Sequence, residues 1–366
     1  MPSATQRTDD GLGRETANVL IAILNWNSFA ETAAAVRSVL QSDYSRFSIV
    51  VIDNGSEEDS VRHVRALETE QVEVVELSTN MGYTGGCNRA FQIALERHFE
   101  YVWLLNADTV VDIGTLSKLV RAAESGQKVG LVSPLIRSLQ EPAKTLNTGH
   151  LFCREIPYFE RTRNPETLRK WISSQPENVV LLGTAMLVSV RLVEAIGYLE
   201  TEMFAYWEDI DFSVRSLHAG FRNVVAWDAA VYHVDKWAGP GPHRVKPHWW
   251  YYMTRNEISF WRKHERGVKG LKAIWWACKV SVRELHAKSE EQLAQTAILA
   301  GMWDGWRGRG GAYDEGRRMP KALSTIFVRW SKSHRVRPET PSGSVEHAQA
   351  AAAARIEADR PKIALP

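Results

Sequence analysis

The residues of this 366-residue sequence best suited to chemistry fall in three short places. Asn106-Ala107-Asp108 closes an apolar run, and alternation along an extended chain would turn side chains 106 and 108 the same way. A carboxylate beside an amide suits a hard cation such as Mg2+ or Mn2+, which takes oxygen ligands, keeps several waters and bridges to phosphates. The same aspartate could instead cap a helix starting near Asp112. A second cluster, Trp207-Glu208-Asp209-Ile210-Asp211, opens a helical pattern. Carboxylates in a first turn complement the helix dipole, and one of them beside a cation-bound substrate could also serve as a general base. His233 ends another apolar run, either as a structural imidazole or as a further ligand for a cation at Asp108.

More polar residues end the earlier apolar runs: Asn25 with Asn27, Asp53 with Asn54, and Asn80. Singly, each is explained as a turn former or helix cap. Together they would line the carboxyl edge of a parallel sheet, where ligands bind in open α/β folds. Asp53 can accept a hydrogen bond from a ring or ribose, which suggests a nucleoside. Residues 80–90, NMGYTGGCNRA, place Gly82 and two further glycines before a helix whose free N–H groups favour anions, with Arg89 as counter-charge. A diphosphate would suit that place.

The elements positioning these residues follow from periodicity. Apolar runs at 19–26, 47–54, 72–78 and 101–108 alternate with helical patterns, which predicts an α/β fold with a mostly parallel sheet covered on both faces. Beyond Val111 come a run at 129–137, an irregular polar stretch to Asn178, a run at 179–190, a helix from about Glu208 to a terminating Gly220, and a strand ending at His233. Residues 235–247 are rich in glycine and proline, like a loop over a site. No GxGxxG follows the first run, which argues against a dinucleotide-binding unit.

The order LNWN, VIDNGS, NMGYTGGCNRA, LLNADTVV, GTAMLVSV, FAYWEDIDFSVR, VYHV and YYMTRNEISF resembles glycosyltransferase family 2, in its bacterial rhamnosyltransferase-like branch, over about residues 18–310. The resemblance implies a GT-A αβα sandwich and an inverting transferase that moves a sugar from a nucleotide diphosphate to a hydroxyl. It implies that Asn25, Asn27, Asp53, Asn80, Gly82, Arg89 and Asn106 bind the donor nucleotide. Asp108, with His233, would hold Mg2+ or Mn2+, and Asp209 would be the base. Glu208, Asp211, Trp207, Gly183 and Thr184 would support the acceptor side. Asn106 stands where the family's DxD motif has its first aspartate. The branch implies dTDP-rhamnose as donor and a lipid-linked or cell-surface saccharide as acceptor. UDP-galactofuranose or a UDP-hexose is the alternative donor, and an inactive nucleotide-sugar or glycan-binding partner is the alternative role. A metal-dependent phosphoesterase is disfavoured, because no further tight Asp/His cluster offers a second metal.

Composition bounds the rest. With 45 basic and 43 acidic residues the total charge demands no polyelectrolyte partner, and three scattered cysteines form no zinc or disulfide framework. The expected organisation is a disordered segment 1–17, a catalytic domain 18–246 with a nucleotide half (18–110) and an acceptor half (111–246), a helical extension 247–337 and a flexible tail 338–366. Eight of the 14 tryptophans lie beyond Pro247, and residues 305–337 carry nine Lys or Arg against two acids. Tryptophan mixed with cations suits an anionic membrane surface; the contrary reading packs these helices on the catalytic domain. No nucleic-acid motif accompanies the basic stretch. A polar start without a signal-like core, and no spanning run, place the expected site of action in the cytoplasm, peripheral to the inner face of the membrane. A homodimer is compatible with all of this.

Overall fold

A computed structural model of the chain describes residues 17–333 except 147, 154–157, 236–244 and 289. The segments expected as disordered start and flexible tail, and the glycine- and proline-rich loop, lie wholly or mostly outside the described residues.

The nucleotide half follows the expected alternation: β1 (Val19–Asn25), α1 (Phe29–Val39), β2 (Phe47–Asp53), α2 (Glu58–Arg65), β3 (Val72–Glu76), α3 (Gly82–Glu96) and β4 (Tyr101–Asn106). Then come β5 (Thr109–Val111), α4 (Thr115–Glu124), β6 (Val129–Ser138), β7 (Gly149–Cys153), β8 (Tyr158–Arg161), α5 (Pro165–Ser174), β9 (Val179–Leu181), β10 (Ala185–Ser189), α6 (Val190–Ile196), α7 (Glu208–His218) and β11 (Arg222–His233). Four helices finish the described chain: α8 (Pro247–His264), α9 (Gly267–Ala287), α10 (Gln292–Arg307) and α11 (Lys321–Ser333).

Eight strands form the main sheet in the order β3-β2-β1-β4-β10-β6-β11-β5. β1 to β4 are mutually parallel, β10 runs antiparallel to both its neighbours, and β11 is parallel to β6. Both faces are covered, which is why the strands are unbroken apolar runs: Val19, Ile21 and Ile23 enter one core while Leu20 and Ala22 enter the other.

Two expectations are corrected here. The stretch up to Asn178 is not irregular: β7 pairs with β8 and β9 in a second sheet, and α5 is begun by Asn164, whose Oδ1 accepts from Glu166 N at 2.9 Å, with Pro165 at the first helical position. The run 179–190 is not one strand. Residues 179–181 join the small sheet and 185–189 the main one, broken at Leu182-Gly183-Thr184, and Val190 already begins α6.

The C-terminal helices share a core with the preceding strands and α7, since Trp250, Tyr251, Ile258 and Phe260 cluster with Phe152, Val180, Trp207, Ile210 and Val214. α10 packs close on α8 because it presents glycine at contacts: a Cβ on Gly301 would lie 2.6 Å from the Tyr251 carbonyl, and one on Gly305 2.8 Å from that of Arg255.

Candidate active site

The carboxyl edge of the parallel strands gathers the first group of residues. Parallel pairing sets Asn25 opposite Asp53, and Asn25 Nδ2 donates to Asp53 Oδ2 at 2.7 Å. Ser56 N donates to Asp53 Oδ1 at 3.0 Å, and Thr32 Oγ1 donates to Asn25 Oδ1 at 2.7 Å. Asp53 is thus buried, with lone pairs to spare on each oxygen. Asn27, at φ +52°, accepts from Glu57 N at 2.8 Å and fixes the loop beside it. Asn54, given no role of its own in the sequence reading, donates to Asn80 Oδ1 (3.2 Å) and Gly82 O (2.9 Å) and accepts from Met81 N. Gly82 has φ +75°, and a Cβ there would collide with the Phe204 carbonyl, so no larger residue fits.

The anion cradle expected at α3 is partly closed by the protein itself. Gly82 N donates to Asn80 Oδ1 at 2.8 Å and Thr84 N to Phe204 O at 3.2 Å. Arg89 is not brought to this edge: it lies seven residues, about 10 Å, along α3 from Gly82, and its guanidinium pairs with Glu96 at 3.5 Å. Helical spacing sends it down the helix, away from its start.

Asp108 lies in a turn, not in the strand. β4 ends at Asn106, Thr109 Oγ1 donates to the Asn106 carbonyl at 2.6 Å, and β5 begins at once, so the alternation argument does not apply to side chains 106 and 108. Nor does Asp108 cap a helix, because α4 starts only at Thr115. Antiparallel pairing of β11 with β5 sets His233 opposite Thr109, which puts His233 Nε2 3.1 Å from Asp108 Oδ1. Both side chains keep about a fifth of their surface exposed. A carboxylate oxygen and an imidazole nitrogen so close fit Mn2+ or Mg2+, with Mn2+ the better match to the nitrogen. Among the described residues no group of three or more His, Cys, Asp or Glu could hold a metal, so diphosphate oxygens and water would have to complete the shell.

The acidic cluster reaches the same edge through the break in the 179–190 run. Asn106 N donates to Thr184 O at 3.1 Å, and the adjacent Gly183 N donates to Asp209 Oδ2 at 2.8 Å. Tyr83 Oη donates to the Gly183 carbonyl at 2.9 Å, holding the next peptide group, Gly183–Thr184. Asp209 Oδ1 accepts from Ile210 N at 2.8 Å. Burial pushes the Asp209 carboxyl up, opposed by these backbone donors. Glu208 is 6% exposed, with no partner for Oε2, and burial and then the neighbouring Asp209 push it well above the usual range. The two backbone N–H donors favour the charged form of Asp209, whereas Glu208 Oε2 has no such partner.

Asp211 does not face the site. It is fully buried, 2.8 Å from His264 Nε2, 2.7 Å from Arg215 Nε and 3.0 Å from Lys263 Nζ, and it ties α7 to α8. Two residues on a helix differ by about 200° in direction, so neighbours of Asp209 at that spacing point elsewhere. Trp207 is buried at φ +71°, packed edge-on to Phe159 and tilted on Phe260.

A family model for glycosyl transferase family 2 matches residues 20–197, the segment carrying Asn25, Asp53, Asp108 and Gly183. The chain carries a family 2 glycosyltransferase domain. The chain is 28% identical over 181 residues to the low-salt glycan biosynthesis hexosyltransferase Agl10 of Haloferax volcanii, covering 47% of this chain and 55% of that protein. It is 26% identical over 203 residues to the N-acetylglucosaminyl-diphospho-decaprenol L-rhamnosyltransferase of Mycobacterium tuberculosis, covering 51% and 66%. The alignments thus span between half and two thirds of these relatives. The fold is that of the mannosyltransferase PcManGT from Pyrobaculum calidifontis, in complex with GDP-Man and Mn2+ (TM-score 0.50, 15% identity, 94% of this chain and 88% of that one). GalNAc-T7 with UDP, GalNAc and Mn2+ is similar too (TM-score 0.53, 12% identity, 88% and 57%). The family 2 domain is accordingly a GT-A fold, with the helical C-terminal part packed against it.

Two further residues lie within the quoted motif YYMTRNEISF but were assigned no role from the sequence. Arg255 and Asn256 on α8 bond the loop that leads into Glu208 and Asp209. The available signal was an Arg-Asn pair just after the apolar, aromatic stretch Trp249–Met253, where a buried polar side chain must have partners.

Proposed function

We propose that the protein is an inverting glycosyltransferase that moves a sugar, L-rhamnose from dTDP-rhamnose, onto a hydroxyl of a lipid-linked or cell-surface saccharide. The observation carrying this reading is the link Asn106–Thr184–Gly183–Asp209, which brings the Asp209 carboxylate to the edge where Asp108 meets His233. The choice of rhamnose leans on the Mycobacterium relative and on the resemblance in the motifs.

In this reading Asp53 accepts from the thymine or uracil ring N–H, and Asn25, Asn27 and Asn80 shape the pocket around it. Asp108 and His233 hold a divalent cation, which when bound would neutralise charge developing on the diphosphate. Asp209 takes the proton of the acceptor hydroxyl as its oxygen attacks the anomeric carbon. The new C–O bond forms on the face opposite the breaking bond, and the electron pair leaves with the diphosphate. A single displacement inverts the anomeric centre. Gly183 N–H holds the base in place, and the backbone donors on its two oxygens favour the carboxylate form that accepts the proton.

The deciding experiment is transfer from dTDP-rhamnose with Mn2+ to a short-chain polyprenyl diphospho-N-acetylglucosamine. Asp209→Asn should lower the rate at least about 100-fold, the scale of lost general-base catalysis, with dTDP affinity within about threefold. Transfer by Asp209→Asn at the unaltered rate would place the base elsewhere.

For the acceptor's lipid, a surface on α9 supports docking at the inner face of a membrane. Val268, Leu271 and Trp275 are 70, 70 and 54% exposed at i, i+3, i+7 spacing, with Lys269 and Lys272 beside them and Lys279 Nζ 5.2 Å from the Trp275 ring. On α11, Ile326 is exposed among Lys321 and Arg329. Among the described residues no helix is long and apolar enough to cross a membrane. The double variant Leu271→Glu, Trp275→Glu should lose sedimentation with phosphatidylglycerol vesicles; retained sedimentation would remove this surface from the reading.

A further inference from the structure

The path of residues 203–207 into α7 is strained. Phe204 has φ +63° and ψ −56°, and Ala205 N donates back to Met203 O at 2.7 Å, which makes a γ-turn of the rare positive-φ kind. Tyr206 and Trp207 follow at φ +67° and +71°. Three non-glycine residues among four consecutive positions thus hold conformations that each cost on the order of 1–3 kcal/mol, and such costs persist only where surrounding contacts over-determine the path.

Those contacts come from α8. Asn256, fully buried, turns its Nδ2 to three carbonyls at once: Met203 (3.0 Å), Ala205 (2.9 Å) and Tyr206 (2.7 Å). Its Oδ1 accepts from Arg255 Nε at 2.7 Å, which fixes which end of the amide faces the loop. The Arg255 guanidinium, 1% exposed, adds bonds to the carbonyls of Glu202 (2.9 Å) and Met203 (2.6 Å). Also from α8, Tyr252 stacks on the Phe204 ring at 5.5 Å, while from the other side Thr84 N meets the Phe204 carbonyl. The strained loop is therefore gripped between the start of α3 and the middle of α8. Glu208 and Asp209 follow it with no intervening residue that could absorb a change.

We propose that Asn256, oriented by Arg255, is a positioning residue for Asp209: it imposes the strained path at 203–207 and thereby aims the carboxylate at the Gly183 amide. This rests on the reading of Asp209 as base. It also gives α8 a function distinct from stability, because the catalytic geometry of one half of the chain is set by a side chain from the C-terminal helices.

Hydrogen exchange on the full chain tests the grip without any substrate. In Asn256→Ala, amides of residues 203–211 should exchange at least tenfold faster, with those of β1 and β2 within twofold. In the transfer assay above, kcat should fall about 100-fold, the effect of misplacing a reacting group by about an ångström, with the dTDP-rhamnose KM within threefold. Asn256→Ser, which retains one donor, should fall between. Unchanged exchange at 203–211, or kcat and KM worsening together with a loss of cooperative melting, would overturn the proposal. Should neither variant fold, the Ala205 amide of the unaltered protein decides: exchange only through global unfolding upholds the grip, and fast local exchange overturns it. Asp209→Asn run alongside separates the two readings. If it transfers normally, the base assignment fails while faster exchange in Asn256→Ala still upholds the grip.

Discussion

The Gly183 N–H donates to Asp209 Oδ2 at 2.8 Å, joining the break between two sheets to the first turn of α7 across 26 residues of sequence. A Cβ added to Gly183 would lie 3.1 Å from the Asp209 Cβ, closer than ordinary contact allows. The glycine is what lets the Asp209 carboxylate come so near the edge where Asn106 and Asp108 lie.

Gly183→Ala should therefore displace Asp209 by a few tenths of an ångström and cost about tenfold in kcat with little change in donor KM, since misplacement of a reacting group is felt in the chemical step. Steady-state kinetics on the purified variant check this. A rate equal to that of the unaltered protein would mean that Asp209 tolerates movement that a base should not.

The pH profile follows from burial. A carboxyl pushed up by desolvation is protonated, and so useless as a base, at pH values where an ordinary aspartate, with pKa about 3.9, is already charged. The acid limb of kcat should accordingly lie above that value, with the rate lost as pH falls through it. Glu208 and Asp209 interact, so the limb belongs to the pair. A limb at or below pH 3.9 would contradict a buried base.

Metal dependence should separate Asp108 and His233 from the other polar residues. His233→Ala is expected to raise the Mn2+ concentration needed for half-maximal transfer by about 10–100-fold, and Asp108→Ala to abolish rescue by Mn2+. Titration of Mn2+ by electron paramagnetic resonance in the presence of dTDP reads the same loss without turnover. Equal Mn2+ affinity in both variants would detach the cation from this pair.

Asp211 should matter for stability. Burial alone would push its carboxyl up, yet the His264 hydrogen bond and the Arg215 and Lys263 charges more than offset this and hold it well below the usual range. The folded-state value lies below the unfolded one, so its stabilisation is fully present above about pH 4 and is lost as pH falls below that. Asp211→Asn, which leaves the cations without their counter-charge, should cost about 3 kcal/mol at neutral pH, read as a lower denaturation midpoint. The deficit relative to the unaltered protein should shrink on acidification below pH 4.

The sequence by itself determined the parallel half of the sheet. Unbroken apolar runs ending in Asn25, Asp53 and Asn106 leave few ways to bury both faces, and the polar residues at their ends then share an edge. It also marked Asp108, His233 and the Glu208-Asp209 pair by residue type and spacing. It could not place Arg89, because a position on a helix does not say which way a long side chain turns, nor show that Asp211, two residues from Asp209, turns away into a network with Arg215, Lys263 and His264. Only the tertiary structure decided that Asp209 meets Gly183, that the run 179–190 breaks between two sheets, and that Asn256 grips residues 203–206. Each of these is a contact between segments far apart in sequence. Its geometry is set by packing and by the need to satisfy buried carbonyls and amides, which no local pattern records.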